Sequence, residues 1–152
     1  MAGIIAGGGK IGDRCFNIAA QSISKTIPAG KYILTYWAKG SVSVAGVIPK
    51  ALNETPADEN GWRLCEKSFD LSRASTILIE GTPGSLIDEV RWFPADAQMT
   101  TYTYDPLVGM RWQNDPNNIT TECRYDKFGR LDAIIDHEGN VMKKYTYHYT
   151  GK

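Results

Sequence analysis

The feature that most restricts how this chain can fold is an internal repeat in its C-terminal part. The stretch "YDKFGRLDAIIDHEGN", residues 125–140, follows a near-copy, "YDPLVGMRWQNDPNN", residues 104–118. Matching positions lie 21 residues apart: Tyr104-Asp105 with Tyr125-Asp126, Asp115 with Asp136, and Asn118 with Gly139. Repeats of about 20 to 50 residues are typical of supersecondary units that stack, because no unit alone buries its apolar face. We therefore expect residues 99–152 to form a small array of such units.

Each repeat predicts a strand, a turn around a glycine, a second strand, and a turn that an aspartate opens. An aspartate side chain can accept hydrogen bonds from the backbone amides ahead of it, which fixes such a turn. Gly and Asn suit these positions because both tolerate a left-handed backbone. A third copy begins at "YTYHY", where Tyr147-His148 takes the Tyr-Asp place after a shift of one residue. The expected structure is a row of β-hairpins with turns near Gly109, Asp115–Asn118, Gly129 and Asp136–Gly139.

Residues 12–94 predict an antiparallel β-sandwich. The stretches "KYILTYWAKG", "GWRLCEKSFDLS" and "STILIEG" are rich in β-branched and aromatic residues, and no stretch shows the 3.6-residue period of a helix. The Pro83-Gly84 pair suits a type II turn, which predicts a hairpin between residues 75–80 and 85–93. Residues 1–11, with their run of glycines, are expected to be a flexible tail. The predicted fold class is all-β, a sandwich followed by hairpins.

One predicted strand, residues 86–93, carries a carboxylate whose position needs an explanation. Strict alternation places Glu89 and Arg91, of opposite charge, on the same face, which we expect to be exposed to solvent. The opposite face, which we expect to line the core, then holds Leu86, Asp88, Val90 and Trp92. An unpaired buried carboxylate is very costly, so Asp88 needs a partner. Backbone amides, a basic side chain and a bound Ca²⁺ all satisfy this requirement.

Four aromatic residues of the predicted sandwich are candidates for carbohydrate binding: Tyr36, Trp37, Trp62 and Trp92. Aromatic rings on a rigid sheet can stack on the apolar face of a sugar. Aromatic residues in strands nevertheless belong more often to the core. Tyr36 and Trp37 are neighbours in one strand and point to opposite faces, so only one of them can face the core. Both interpretations stay open from the sequence.

Bulk properties and isolated motifs argue against several classes of function. The 17 basic residues balance the 17 acidic ones, so nothing attracts the chain to nucleic acid. No apolar run approaches the roughly 20 residues of a membrane-spanning helix. The apolar residues near the start have no basic stretch before them, as a signal peptide would. Cys15, Cys65 and Cys123 lack metal-ligand spacing. His137 and His148 stand in predicted turns or strand ends, not beside a nucleophile and an acid. We expect no enzyme, no nucleic-acid binding and no membrane insertion.

The repeat resembles the YD repeats of the Rhs (rearrangement hotspot) family, whose pattern is Tyr-Asp-x-x-Gly-Arg-Leu, then Asp-x-x-Gly-Asn, then an aromatic strand. The second copy matches almost completely, whereas the first has one extra residue before its glycine and Met110 in place of the arginine. The motif positions are Tyr104, Asp105, Tyr125, Asp126, Gly129, Arg130, Asp136 and Gly139. In that family the repeats wind into a β-shell that encloses a toxin or carries surface adhesion. The resemblance implies such a shell and a cell-surface or secreted location in a bacterium.

The preceding part resembles, more weakly, the jelly-roll carbohydrate-binding modules that accompany glycan-degrading enzymes. The pieces that match are "AGKYILTYWAKG", "GWRLCEKSFDLS" and "GSLIDEVRWF", in the order which that family shows. The resemblance implies a jelly-roll-like sandwich and a structural Ca²⁺ near Asp88. An opening strand that the family places before "GDRCFNIAAQ" has no counterpart, so the sandwich is expected to lack it.

The sequence therefore predicts a non-catalytic structural or binding module of an Rhs-type surface or secreted protein, part of a β-shell. Its expected partners are further YD repeats of a longer chain, or a second copy that pairs with an exposed strand edge. The alternative is a carbohydrate-binding lectin module to which the repeats serve as a linker.

Overall fold

The computed structural model describes residues 3–148, so two residues of the expected tail and residues 149–152 of the expected repeats lie outside it. Every regular element in this range is a β-strand, and the predicted all-β class is confirmed. The described residues include no helix of the length and apolarity that crossing a membrane requires. The chain divides between residues 97 and 98 into two compact units.

The first unit is an antiparallel β-sandwich. A six-stranded sheet with the order β1-β2-β9-β4-β7-β6 is accompanied by a three-stranded sheet with the order β3-β8-β5. The strands are β1 Ile4–Ala6, β2 Arg14–Asn17, β3 Ile23–Ile27, β4 Gly30–Lys39, β5 Val42–Ala45, β6 Lys50–Glu54, β7 Trp62–Leu71, β8 Ser75–Gly81 and β9 Leu86–Pro94.

The core of this unit lies between its two sheets. Strand β4 pairs with β7 along its whole length, and alternate β4 side chains, from Leu34 through Tyr36 to Ala38, are almost completely buried. The three-stranded sheet contributes Ile77 and Ile79 to the same apolar cluster. The period of two in β4 thus places one set of side chains in the core, as the alternation of a sandwich strand requires.

The predicted hairpin around Pro83-Gly84 is wrong, although its turn forms. The Ser85 amide donates to the Thr82 carbonyl at 3.0 Å, and Gly84 has a φ of 86°. Strand β8 nevertheless joins the three-stranded sheet, and β9 joins the six-stranded sheet. The turn therefore connects the two sheets. Isoleucines of β8 and β9 pack into the same core, one set from each sheet.

A β-bulge in β9 interrupts the alternation that the sequence suggested. In the pairing with β4, Arg91 lies opposite Thr35 and Asp88 lies opposite Trp37, so two residues of β9 oppose one residue of β4. The first bulge residue, Glu89, has a left-handed φ of 47°. One inserted residue moves the side chains that follow to the other face of the sheet.

The bulge changes which side chains of β9 face the core. Ile87, on one side of it, and Trp92, on the other, both belong to the core cluster. Asp88 and Arg91 both lie on the opposite face of the sheet. The prediction that Asp88 faces the sandwich core is therefore wrong, and so is the prediction that Arg91 is exposed, since it is 1% exposed and its Nε donates to Thr35 Oγ1 at 3.2 Å.

The prediction of a flexible N-terminal tail is wrong for the described part of it. Strand β1 pairs with β2, so a short strand does precede "GDRCFNIAAQ". The Lys10 and Ile11 amides both donate to the Asp88 carboxylate, and Ile11 is buried. The glycine run makes the segment flexible only in isolation, and a carboxylate far along the chain holds it in place.

The second unit is a five-stranded antiparallel meander with the order β10-β11-β12-β13-β14. Its strands are β10 Thr101–Asp105, β11 Gly109–Asn114, β12 Thr120–Tyr125, β13 Leu131–Ile135 and β14 Val141–Lys144. Each strand pairs with the next one along the chain, as expected for a row of hairpins. The strand ends fall at the turns that the repeat predicted.

Candidate functional site

The four aromatic residues predicted to bind carbohydrate do not form an exposed row. Tyr36 is 1% exposed and Trp62 is 3% exposed. Burial raises the pKa of the Tyr36 hydroxyl far above its ordinary value. Trp92 packs in the core against Tyr32 and Phe69, with ring centroids 5.7 and 4.8 Å apart. These side chains stabilise the sandwich, which is the more common role of aromatic residues in strands.

Trp37, the fourth aromatic residue, is partly buried and covered by a lysine. The Lys10 Nζ lies 4.4 Å from the Trp37 ring centroid and 2.7 Å from Asp58 Oδ2. Burial raises the pKa of Asp58, but hydrogen bonds from Lys10 and from the Trp62 amide outweigh it and hold that pKa below its ordinary value. The cation lies over one face of the ring, where it would compete with a sugar. Lys10, Asp58 and Trp37 lie far apart in the sequence, so no local pattern predicts that they meet.

Asp88, the predicted metal residue, is satisfied by backbone amides. Its Oδ2 accepts from the amides of Lys10 at 2.8 Å and Ile11 at 3.0 Å, and its Oδ1 accepts from the Glu89 amide at 2.8 Å. Burial raises the pKa of Asp88 above its ordinary value, and the three amides oppose that shift. N–H donors repel a cation, and residues 3–148 contain no group of three acidic, His or Cys side chains suited to a metal. Of the alternatives left open, the structure favours backbone amides over Ca²⁺.

Three five-residue loops of the second unit share one hydrogen-bond pattern. In each, an aspartate Oδ1 accepts from the amides two and four residues ahead, at 2.8 to 3.1 Å. The residue three positions ahead has a left-handed φ, as in a three-residue hairpin loop that ends in a bulge. These loops are Asp115–Ile119, Asp126–Arg130 and Asp136–Asn140. The predicted role of the aspartate in fixing the turn is confirmed.

A fourth loop with this geometry lies in the first unit, outside the repeat. Asp58 Oδ1 accepts from the amides of Asn60 at 2.9 Å and Trp62 at 2.8 Å, and Gly61 has a φ of 81°. The signal was present in "DENGW", which has the same Asp-x-x-Gly spacing as "DKFGR" and "DHEGN". This loop places Asp58 under Lys10, so turn chemistry positions the contact with Trp37.

Acidification is expected to loosen the second unit. Hydrogen bonds from Arg130 lower the pKa of Asp126, and those from Asn140 lower the pKa of Asp136. A carboxyl group with a lowered folded-state pKa contributes stability above its unfolded value of about 3.9, and that stability is lost as pH falls through the folded value. Amide exchange of residues 101–144, corrected for intrinsic rates, should therefore accelerate below about pH 4.

The matched control for this acid effect is the double variant Asp126→Asn, Asp136→Asn. It should start from a lower stability and show a flatter dependence on pH. Protection that stays constant in the unsubstituted chain from pH 5 to pH 2.5 would contradict the expectation.

Tyrosine hydroxyl groups connect neighbouring hairpins of the second unit. Tyr125 Oη donates to the Met110 carbonyl at 2.8 Å, and Tyr147 Oη donates to the Leu131 carbonyl at 2.8 Å. Met110 and Leu131 are equivalent, because they lie opposite Tyr104 and Tyr125 in their hairpins. We call each of these an inter-hairpin tyrosine contact. The two acceptors lie 21 residues apart, as in the sequence repeat, and the two donors lie 22 residues apart.

The one-residue shift of the third copy has a structural cause. Strand β14 pairs with β13 through Lys143 opposite Ile134 and Val141 opposite Ile135, which leaves Met142 as a bulge. The corresponding pairing of β12 with β11 has no bulge. The extra residue restores Tyr147 to the place that Tyr125 takes in the preceding hairpin.

The degenerate first copy keeps the loop length, but its left-handed residue lies two positions after the aspartate instead of three. The Val108 amide donates to the Asp105 carbonyl at 3.2 Å, as Gly129 does to Asp126, so the loop has the same length despite the later glycine. Leu107 adopts the left-handed conformation, with a φ of 66°. Arg111 Nη1 lies 3.1 Å from Asp105 Oδ2 and supplies the cation that Arg130 supplies to Asp126.

No protein-family model, no curated protein and no solved structure matches the chain. The functional interpretation therefore depends on the chain's own geometry. The features with a repeated design are the aspartate loops and the inter-hairpin tyrosine contacts, and both join strands to strands. The second unit, which carries both features, is accordingly the candidate functional site.

Proposed function

We propose that the chain is a non-catalytic structural module whose Tyr-Asp hairpins continue into a larger β-wall, in the manner of the Rhs-type shell that its repeats resemble. The observation that carries this proposal is the inter-hairpin tyrosine contact. It is found twice, each time with a tyrosine hydroxyl as donor, a backbone carbonyl as acceptor and a distance of 2.8 Å. A contact that recurs with the sequence repeat can also form with the next repeat. Stacked arrays are built in this way, because each unit contacts its neighbours through the same interface. A surface or secreted location follows from the resemblance alone.

Close packing at the contact supports an assembly role. A Cβ built at Gly109 would lie 2.8 Å from Tyr125 Oη, so the glycine leaves room for the tyrosine of the next hairpin. At the following contact, the Arg130 guanidinium lies 4.3 Å from the Tyr147 ring centroid. Each hairpin thus offers the tyrosine ring of its neighbour a surface to pack against, either a bare glycine or a flat guanidinium.

Both outer strands of the second unit support further growth. At one edge, β10 exposes Tyr102 (51%) and Tyr104 (63%). At the other edge, every residue of β14 is exposed, including Val141 and Met142. Unpaired edges are templates for pairing with another strand. We propose that the partner is another Tyr-Asp hairpin, from a longer chain or from a second copy.

Insertion of one extra repeat tests this function. A second copy of residues 120–140, placed between Asn140 and Val141, should fold as an additional hairpin with its own tyrosine contact. Because the stability of an array is close to the sum of its repeats and their interfaces, the urea midpoint and the m-value should both rise. Urea unfolding and amide exchange of the inserted residues provide the measurements.

The control is an insertion of the same composition in scrambled order. It should behave as a surface loop, with little change in m-value. If the genuine repeat exchanges its amide protons as fast as the scrambled one, the hairpins are not modular and the proposed function fails.

A further inference from the structure

A small apolar cavity opens between the two sheets of the first unit. Its volume is about 70 Å³. The three-stranded sheet contributes Ile23, Ile27 and Ile79 to its wall, and the six-stranded sheet contributes Leu34, Val90 and Trp92. Val90, in the bulge of β9, is 38% exposed and lies at the mouth. The cavity therefore connects the core to solvent beside the edge strand β3.

A lysine stands among these apolar residues. In β3 the alternate residues Ile23, Lys25 and Ile27 share one face, and all three line the cavity. Lys25 is exposed and forms no ion pair with any residue in the described range 3–148. A lysine can pack its aliphatic stem along apolar surface while its ammonium group stays in water. The cavity thus has an apolar interior and one cation at its rim.

This arrangement matches an amphipathic anion. A water-sized group needs about 10–15 Å³ of such volume, so the cavity accepts a chain of about five to seven atoms. Drug-sized ligands are excluded, because their pockets measure about 300–1,000 Å³. We propose that the cavity binds the aliphatic tail of a short straight-chain carboxylate, with the carboxylate group paired to Lys25. The site lies in the first unit, and its proposed role does not depend on the function proposed for the second.

An inward-pointing lysine on an edge strand has another known use, which is to prevent pairing with other strands. That use requires no ligand. If it were the whole role of Lys25, substitution would change self-association and leave carboxylate binding unaffected. The two roles therefore predict different results for one variant.

The test is a titration of the full chain with sodium hexanoate, followed by tryptophan fluorescence, since Trp92 lines the cavity. We expect saturable binding with a dissociation constant on the order of 1 mM, from burial of about five carbon groups, the four methylene groups and the methyl group of hexanoate. Affinity should fall about fourfold for each methylene group removed, so butyrate should bind far more weakly. Lys25→Gln should weaken hexanoate binding about two- to fivefold and leave hexan-1-ol binding unchanged.

Two controls make the outcome decisive. Lys31→Gln, at an exposed lysine elsewhere in the same unit, should leave hexanoate binding unchanged, and Val90→Phe at the mouth should abolish binding of both ligands. The proposal is overturned if binding does not saturate at a hexanoate concentration ten times the expected dissociation constant. It is also overturned if affinity does not depend on chain length, or if the two lysine variants have equal effects. Should Val90→Phe fail to fold, the comparison of the lysine variants still decides.

Discussion

Replacement of Asp88 by alanine should destabilise the first unit by about 1–3 kcal/mol. Three backbone amides, those of Lys10, Ile11 and Glu89, donate to its carboxylate and would lose their acceptor. A buried donor without a partner costs its full desolvation, which exceeds the net gain of a typical hydrogen bond. Urea unfolding followed by tryptophan fluorescence measures the loss, because three of the four tryptophans lie in this unit.

The control is Asp70→Ala, which removes an exposed carboxylate that lies 4.0 Å from the Lys31 ammonium. Its effect should stay within about 0.5 kcal/mol. Asp88→Asn should fall between the two variants, since the amide keeps one acceptor oxygen but turns an NH₂ group toward a donor. Amide exchange should also show that residues 3–11 lose protection in Asp88→Ala. Equal stability of Asp88→Ala and Asp70→Ala would mean that the N-terminal segment is held by other contacts.

Gly109→Ala should destabilise the second unit by about 2–4 kcal/mol. The new Cβ would lie 2.8 Å from Tyr125 Oη, and the φ of 144° is one that residues with a side chain avoid. The Tyr125 hydroxyl cannot move away easily, because it donates to the carbonyl of Met110, the residue that follows Gly109. Denaturant-dependent amide exchange of residues 101–144 reports the change.

Gly139→Ala separates backbone strain from crowding. Gly139 also has a positive φ, of 89°, but nothing lies within 4 Å of its added Cβ, so it should cost only about 1–2 kcal/mol. The double variant Gly109→Ala, Tyr125→Phe removes the atom closest to the new methyl group. It should recover at least about 0.5 kcal/mol relative to the sum of the single variants. Strict additivity would show that the tyrosine does not seat against the glycine.

The sequence by itself determined the elements whose causes lie within a few residues. An aspartate and a left-handed residue three positions later are sufficient for the loops at Asp126–Arg130 and Asp136–Asn140, since every hydrogen bond of such a loop is local. The β-branched and aromatic stretches likewise predicted the strands β4 and β7. The same local rule holds for the loop at Asp58, which lies outside the repeat.

The tertiary structure alone decided the features that join distant parts of the chain. Strand alternation assigned Asp88 to the core, but a single bulge residue, Glu89, reversed the faces of β9, and such a bulge depends on the pairing with β4. The glycine-rich start looked flexible because its contacts are with a carboxylate 77 residues away. The turn at Pro83-Gly84 was predicted correctly as a turn, yet its strands enter different sheets because both bury isoleucines in one core. Local chemistry sets where the chain turns, whereas only packing across the whole unit sets which face and which sheet each strand occupies.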